Sequence, residues 1–558
     1  MVYVFAKASA LNKYIGKRLT LQQMQDALID IGMDIKDVLG DKDPVLKVEI
    51  TAEKLDLVSV VGLARAIKYY LGIEDKPIRY EIVRGRNSVY VDRSVARVRP
   101  RTAAAIVRGL NVDAEALEEI IGLQEKMHES FGRRRKKAAI GIYPLGRIKF
   151  PIKYCAESPD KIMFTPLGFS EVMSGVEVLE RHEKGREFSH LLSGHEKYPI
   201  FEDAEGKVLS MPPIINSEEV GRVHEGKQDL FIECSGHNLT HLDNVLKVIV
   251  TTLIEMGGTA ESVSVEYPDG EIYRLDLSNY TDEIDIDFVN RLIGISIKPK
   301  EAVPLLTKMM YNPVKVVGSK VQVEVPPFRS DVWHDVDIAD DIARAYGYNN
   351  IAPRYPNIST VGGHLPFSRF RESACEAMVG MGFIELYTYM LTSTEKQYSM
   401  MGREQKEGGY VRILNSAEQG TNAVRTMILP EHLESLNINR KSGYPQKVFE
   451  VGMVVRPEKG RHPGNEWRLS ASIAGPRTNY TKIKEALDTL MCVLGVEYEV
   501  RPADEPYLIA GRAGEIAVGG RPIGFIGEVH PKVLDAFGLL VPVASFEVEL
   551  KPLFENKR

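Results

Sequence analysis

The feature that most constrains this chain is an internal repeat. Leu46–Gly72 reads LKVEITAEKLDLVSVVGLARAIKYYLG, and Val321–Gly347 reads VQVEVPPFRSDVWHDVDIADDIARAYG, aligned without a gap. Identities fall at Val48/Val323, Glu49/Glu324, Asp56/Asp331, Val61/Val336, Ala64/Ala339, Ile67/Ile342 and Gly72/Gly347. Each copy reads as a short alternating strand, a polar turn and a helix closed by glycine. Upstream, Leu21–Gly32 and Pro299–Met310 each read as a further short amphipathic helix. A small α/β module used twice predicts a multidomain protein, and 558 residues are too many for one core.

The expected divisions are a first module over 1–85, an independent α+β domain over 86–270, the second module over 271–353 and a fourth domain over 354–558. The middle domain is rich in short β-type runs: IGIYPL, PIIN, LFIEC, and VSVEY and EIYRLDL around Pro268-Asp269-Gly270, a hairpin signal. After Tyr355-Pro356, helical stretches alternate with VRIL, KVFEVGMVV and ASFEVEL, which predicts an antiparallel α+β domain.

A formal charge of −6 gives no whole-chain sign of nucleic-acid binding, so any such contact must come from local patches. The densest basic run is GRRRKK, Gly132–Lys137; it reads either as a grip on RNA phosphates or as a solvated loop. The four cysteines, Cys155, Cys234, Cys375 and Cys492, form no CxxC pair and read as reduced thiols of a cytoplasmic protein. The N-terminal MVYVFAKASALNKYIGK lacks the pattern of a signal peptide. The apolar stretch Val245–Met256 is interrupted by Lys247 and Glu255 and is too short for a bilayer, so no membrane association is expected. No phosphate-loop, zinc or HExxH pattern occurs.

The second copy differs from the first in its acids. Asp331, Asp335, Asp337, Asp340 and Asp341 crowd one stretch, and helical spacing puts Asp337, Asp340 and Asp341 on one face. The first copy carries Gly62, Arg65 and Ala66 at those three positions, so the module can be built without the acids. Their repulsion, a few tenths of a kcal/mol per pair, would be cancelled by Mg²⁺. The alternative is a solvated acidic helix start favoured by the macrodipole. Asp331, whose counterpart Asp56 is retained, suits a helix N-cap as well as a ligand.

VPPFRSDVWHDVDIADDIARAYGYNNI resembles the acidic module of phenylalanine–tRNA ligase beta subunits. EITAEKLDLVSVVGLARAI is similar to that family's first module. GRRRKKAAIGIYPL and KVLSMPPIINSEEVG are similar to its editing domain in the archaeal and eukaryotic form, and VRTMILPEHLESLNINR, KVFEVGMVV and GFIGEVHP to its C-terminal domain. The resemblance, in order along nearly the whole chain, implies an α+β multidomain fold. Its parts would be duplicated modules, a central editing-type domain and a C-terminal class II synthetase-like antiparallel sheet. It implies Mg²⁺ held by Asp331, Asp337, Asp340 and Asp341. It also implies a catalytic alpha subunit as partner in an assembly of two alpha and two beta chains, with ATP used by the complex to attach phenylalanine to tRNA(Phe).

Editing has a physical reason. Tyrosine is phenylalanine plus one hydroxyl, and an apolar pocket rejects an added hydroxyl by only about a hundredfold. A second sieve needs a polar group for the phenolic oxygen and donors near the ester. The resemblance points to Ser210, Glu233 and Ser235, with Glu233 accepting the phenol's hydrogen bond and Ser210 placing water or ester; otherwise these are a turn serine and a strand-face charge. No residue is assigned to aminoacylation: the GxGxGxxR pattern of a class II core is missing, and Arg425 and Arg440 lie in helical or loop contexts. The alternatives are a nucleic-acid-binding scaffold without editing and a free-standing hydrolase of mischarged tRNA.

Overall fold

The computed structural model describes residues 2–405, 408–416, 418, 420–457 and 462–556. The chain divides into two compact units, Met1–Tyr355 and Pro356–Arg558. No helix among the described residues is long and apolar enough to cross a membrane.

The repeat is a repeat of topology. In the first copy, strand Val2–Lys7, helices Ala8–Ile15 and Leu21–Ile31, strands Asp34–Leu39 and Val45–Ile50 and helix Val60–Tyr70 follow in order. The second copy repeats this with Tyr280–Asp285, Ile286–Ile293, Pro299–Lys308, Asn312–Val317, Lys320–Val325 and Asp335–Tyr346. In each, the last strand is central and pairs antiparallel with both others. Alternation explains the placement: Leu46, Val48 and Ile50, and likewise Val321, Val323 and Val325, are buried.

The helix starts differ from expectation. The N-caps are Ser59, whose hydroxyl accepts from Gly62 N, and its counterpart His334, not Asp56 and Asp331. Asp337 takes over the capping bond in the second copy, its carboxylate accepting from Trp333 N and His334 N at 2.8 Å each.

Between the modules lies a ten-stranded mixed sheet. Strand Gly226–Gly236 lies second from one edge, flanked antiparallel by Arg101–Val112 on its inner side and by the edge strand Ala138–Pro144. Helix Leu239–Glu255 packs on one face of this sheet, which is where the apolar Val245–Met256 stretch is consumed. The hairpin at Pro268-Asp269-Gly270 forms, but its second strand is only Ile272–Tyr273. Leu275 and Leu277 are buried beyond it without ladder partners.

The C-terminal unit is a seven-stranded sheet, antiparallel except where Ile384–Glu385 joins Gln446–Arg456 at one edge. Its core packs under Pro366–Gly380 and Tyr480–Leu494. The predicted VRIL strand is reduced to a single bridge between Arg412 and Ala423.

Candidate functional site

Strand Gly226–Gly236 sends alternate residues to opposite faces. Ile232 and Cys234 join the core with helix Leu239–Glu255, whereas Phe231 shares the other face with Tyr143. Glu233 follows on this second face and is only 2% exposed. Its cross-strand partner is Gly141. A Cβ at 141 would collide with both Glu233 Oε1 and the Tyr143 hydroxyl, so glycine is what admits this pair. Tyr143 Oη lies 2.8 Å from Ser210 Oγ, 3.0 Å from Glu233 Oε1 and 3.5 Å from Asn216 Oδ1. Ser210 and Asn216 are themselves cross-strand partners. Two of the three sequence-predicted residues, Ser210 and Glu233, therefore meet at one tyrosine that sequence reasoning did not single out.

Ser210, Asn216 and Glu233 line a cleft of about 650 Å³, within the range of small-molecule sites. Its other walls are largely apolar and include Leu117, Ile120, Ile140, Ile142 and Ile214. Burial pushes the Glu233 carboxyl up to about 8, opposed by its bond with Tyr143 and by the Arg99 charge. Glu233 is therefore mainly protonated at neutral pH, which turns the expected acceptor into a neutral acid. Oε1 lies against Tyr143 Oη, whereas Oε2 has no hydrogen-bond partner among the described residues.

Ser235 is a correction. It lies on the same strand but is fully buried and does not line the cleft. Its hydroxyl accepts from Arg99 Nε at 3.1 Å and its carbonyl from Arg99 Nη2 at 2.6 Å. The same guanidinium reaches the carbonyls of Arg135 and Lys136, so Ser235 belongs to the support of the basic turn.

That turn borders the cleft. Arg133, Arg134 and Arg135 all have left-handed backbone, at φ of 46°, 50° and 63°. Three such non-glycine residues in a row cost on the order of 1 kcal/mol or more each and need fixing from outside. Arg135 supplies part of it: it is buried, donates to Ile214 O at 2.6 Å, pairs with Glu125 at 3.1 Å and covers the Phe188 ring. His128 fixes the other side, its Nε2 accepting from Ile140 N at 2.8 Å.

The acidic cluster departs from the expected cation site. Asp331 accepts from Arg329 at 2.8 and 2.9 Å and from Lys54 at 2.7 Å. Asp341 is bound by Arg329, by Lys54 at 3.4 Å and by Tyr311 Oη at 2.8 Å. Asp340 is bound by Arg344 and Tyr348, and Asp337 by the helix N-terminus. The four carboxylates do not converge, and the two buried ones already share two cations. Among the described residues no group of three or more His, Cys, Asp or Glu is arranged to hold a metal ion. The set does not fit Mg²⁺: a divalent ion between Asp331 and Asp341 would face Arg329 and Lys54 at contact distance. The protein's own cations cancel the repulsion instead, and they hold both buried carboxylates below their usual range. Lys54 occupies in the first copy the position of Arg329 in the second, so this buried cluster joins the two modules.

In the C-terminal unit the buried charges of the sheet pair with one another. Arg425 is buried against Glu450 at 2.7 Å and Thr388 Oγ1 at 2.7 Å. Glu547 pairs with Arg468 and accepts from Ile428 N and Leu429 N at the start of helix Leu429–Ile438. His432 of that helix sits on Ser472. Arg440 lies just beyond the helix end, on the surface.

The comparisons agree along the chain. Residues 1–73 match the Phe-tRNA synthetase beta subunit B1 domain, 283–348 the tRNA synthetase B5 domain, and 351–550 the phenylalanyl tRNA synthetase beta chain CLM domain. The chain is 40% identical over 553 residues to the phenylalanine–tRNA ligase beta subunit of Pyrococcus horikoshii, covering 98% of this chain and 99% of the relative. The corresponding protein of Pyrococcus abyssi is 39% identical, with 98% of each covered. The crystal structure of an N-terminal fragment of the P. horikoshii beta subunit superposes with a TM-score of 0.60 at 38% identity, covering 62% of this chain and 99% of that one. On this evidence the chain belongs to the family of phenylalanine–tRNA ligase beta subunits.

Proposed function

We propose that this chain is the editing and scaffolding half of a heteromeric phenylalanine–tRNA ligase, hydrolysing Tyr-tRNA(Phe) in the cleft at Glu233. A catalytic alpha subunit uses ATP to attach phenylalanine, in an assembly of two chains of each kind. The observation that carries the editing reading is the Tyr143–Glu233–Ser210 contact at the wall of a mostly apolar cleft, with Glu233 Oε2 unpartnered among the described residues. A phenolic hydroxyl entering the cleft satisfies Oε2. Phenylalanine leaves it buried and unpaired, and a site built around such a bond rejects the analogue lacking the hydroxyl by about 10⁴–10⁵. The cleft thus supplies discrimination that an apolar synthetic pocket lacks. Ser210 and Asn216 line the same cleft and provide polar groups to position the ester or the attacking water.

The partner reading is supported by exposed apolar side chains on the C-terminal unit. Val361, Tyr387 and Tyr389 are 96%, 99% and 86% exposed, and Ile358, Leu365, Ile384 and Leu391 lie in the same sequence region. Large apolar side chains left in water at this density suit a protein interface. The buried charges of that unit pair within the chain, Arg425 with Glu450 and Arg468 with Glu547, and ATP chemistry falls to the other subunit.

The test is deacylation of Tyr-tRNA(Phe) by the full chain with and without an alpha subunit. Glu233→Ala should lower kcat/KM at least a hundredfold, while Glu233→Gln, neutral and isosteric, should keep a measurable part of it. Unchanged hydrolysis in Glu233→Ala removes the assignment. Phenylalanylation should require the alpha subunit, and charging by this chain alone would overturn the division of labour.

A further inference from the structure

The basic turn beside the cleft has a use that editing leaves open. Its backbone is held on two sides: Arg99, buried beneath, grips the carbonyls of Arg135 and Lys136, and Arg135 ties the turn to the cleft wall at Ile214. The strained left-handed run at 133–135 turns Arg135 inward and leaves Arg133, Arg134, Lys136 and Lys137 exposed. Arg134 is partly neutralised by Glu187 at 3.2 Å. Among the described residues, Arg133, Lys136 and Lys137 have no carboxylate within ion-pair distance. Three unpaired cations repel one another, and the arrangement persists only because buried groups hold it. Next to them, Phe131 and His241 stack with ring centroids 3.9 Å apart and planes within 4°. Both rings are half-buried, and His241 Nε2 lies 3.1 Å from Phe131 O.

Fixed cations beside a flat aromatic pair are what single-stranded nucleic acid binds: phosphates on the cations, bases against the rings. The alternative of a merely solvated loop does not account for three consecutive left-handed residues anchored by two buried arginines. We propose that the Phe131–Lys137 turn, with His241, is the surface that takes the single-stranded 3′ end of an acylated RNA and feeds its terminal ester into the cleft. This rests on the cleft being a deacylation site. The partner chemistry is an unpaired RNA strand end, and duplex RNA lacks the free base faces that the ring pair would stack against.

The experiment measures binding directly, so that it does not depend on catalysis. The full chain is titrated with a fluorescent RNA hairpin ending in single-stranded CCA, across a range of salt concentrations, beside the same hairpin with a blunt end. The wild type should prefer the CCA hairpin. R133Q/K136Q/K137Q should weaken its binding by about ten- to a hundredfold and flatten the log–log salt slope by about 2, from about 0.7 per lost phosphate contact on a single strand. These side chains are exposed, so the variant should fold, and an unchanged circular dichroism spectrum checks it. His241→Ala should weaken binding severalfold without changing the slope. Equal affinity and slope in the triple variant, or no preference for the CCA end in the wild type, overturns the proposal. Loss of deacylation in Glu233→Ala with binding intact would show the two sites to be separate. Absence of deacylation in the wild type together with specific CCA binding would sink the editing reading and leave this surface standing.

Discussion

Replacing Glu233 by glutamine removes a titration while keeping shape. Burial holds this carboxyl near 8, against an ordinary value of 4.5. Between those values the folded chain keeps a proton that the unfolded chain releases. Each pH unit in that window therefore lowers wild-type stability by about 1.4 kcal/mol. The contribution is complete below the ordinary value and is lost progressively as pH rises towards the folded one, a total of roughly 5 kcal/mol as an upper bound. Chemical denaturation of wild type and Glu233→Gln between about pH 5 and pH 9 reads this directly. The difference should grow with pH in favour of the glutamine variant and level off above about pH 8. Two profiles that run parallel would refute the argument, because Glu233 would then share its charge state between folded and unfolded chains.

The remaining expectations concern the neighbouring groups. Gly141→Ala should force Tyr143 and Glu233 apart, costing about 1–3 kcal/mol and most of the Tyr-tRNA hydrolysis, measured by denaturation and deacylation. Ser235→Ala should destabilise by about 1–3 kcal/mol, measured by denaturation, by leaving Arg99 Nε short of a partner. Asp341→Ala should cost about 3–5 kcal/mol, because it strips a buried carboxylate from Arg329 and Lys54. Millimolar Mg²⁺ or a chelator should leave the thermal midpoint of the isolated chain unmoved, and a shift of several degrees on adding the ion would show that the four aspartates do form a cation site.

How far the sequence carried is clearest in the repeat. Strand, turn and helix of both copies were legible because alternation and helical spacing are local, and Gly347, at φ 90°, does close its helix. The cap was misread because Asp56 and Asp331 are matched residues with suitable chemistry, whereas the bonds come from Ser59 and Asp337. The acidic face was legible as a problem but not in its solution. Arg329 stands two residues from Asp331, yet Lys54, the other counter-ion, comes from the opposite copy, and no local pattern signals that pairing. At the cleft, resemblance pointed to Ser210 and Glu233. What assembles them is Tyr143 from another strand and the missing side chain at Gly141, both set by register across the sheet. The resemblance points to Ser235 as well, but Arg99, far away in sequence, claims it instead.

The central claim is that the cleft reads one hydroxyl through a buried neutral acid. Its most direct test compares hydrolysis of Tyr-tRNA(Phe) and Phe-tRNA(Phe) by the wild-type chain under single-turnover conditions. The tyrosyl ester should be cleared faster by at least a thousandfold. Comparable rates for the two esters would contradict the account, whatever the absolute activity.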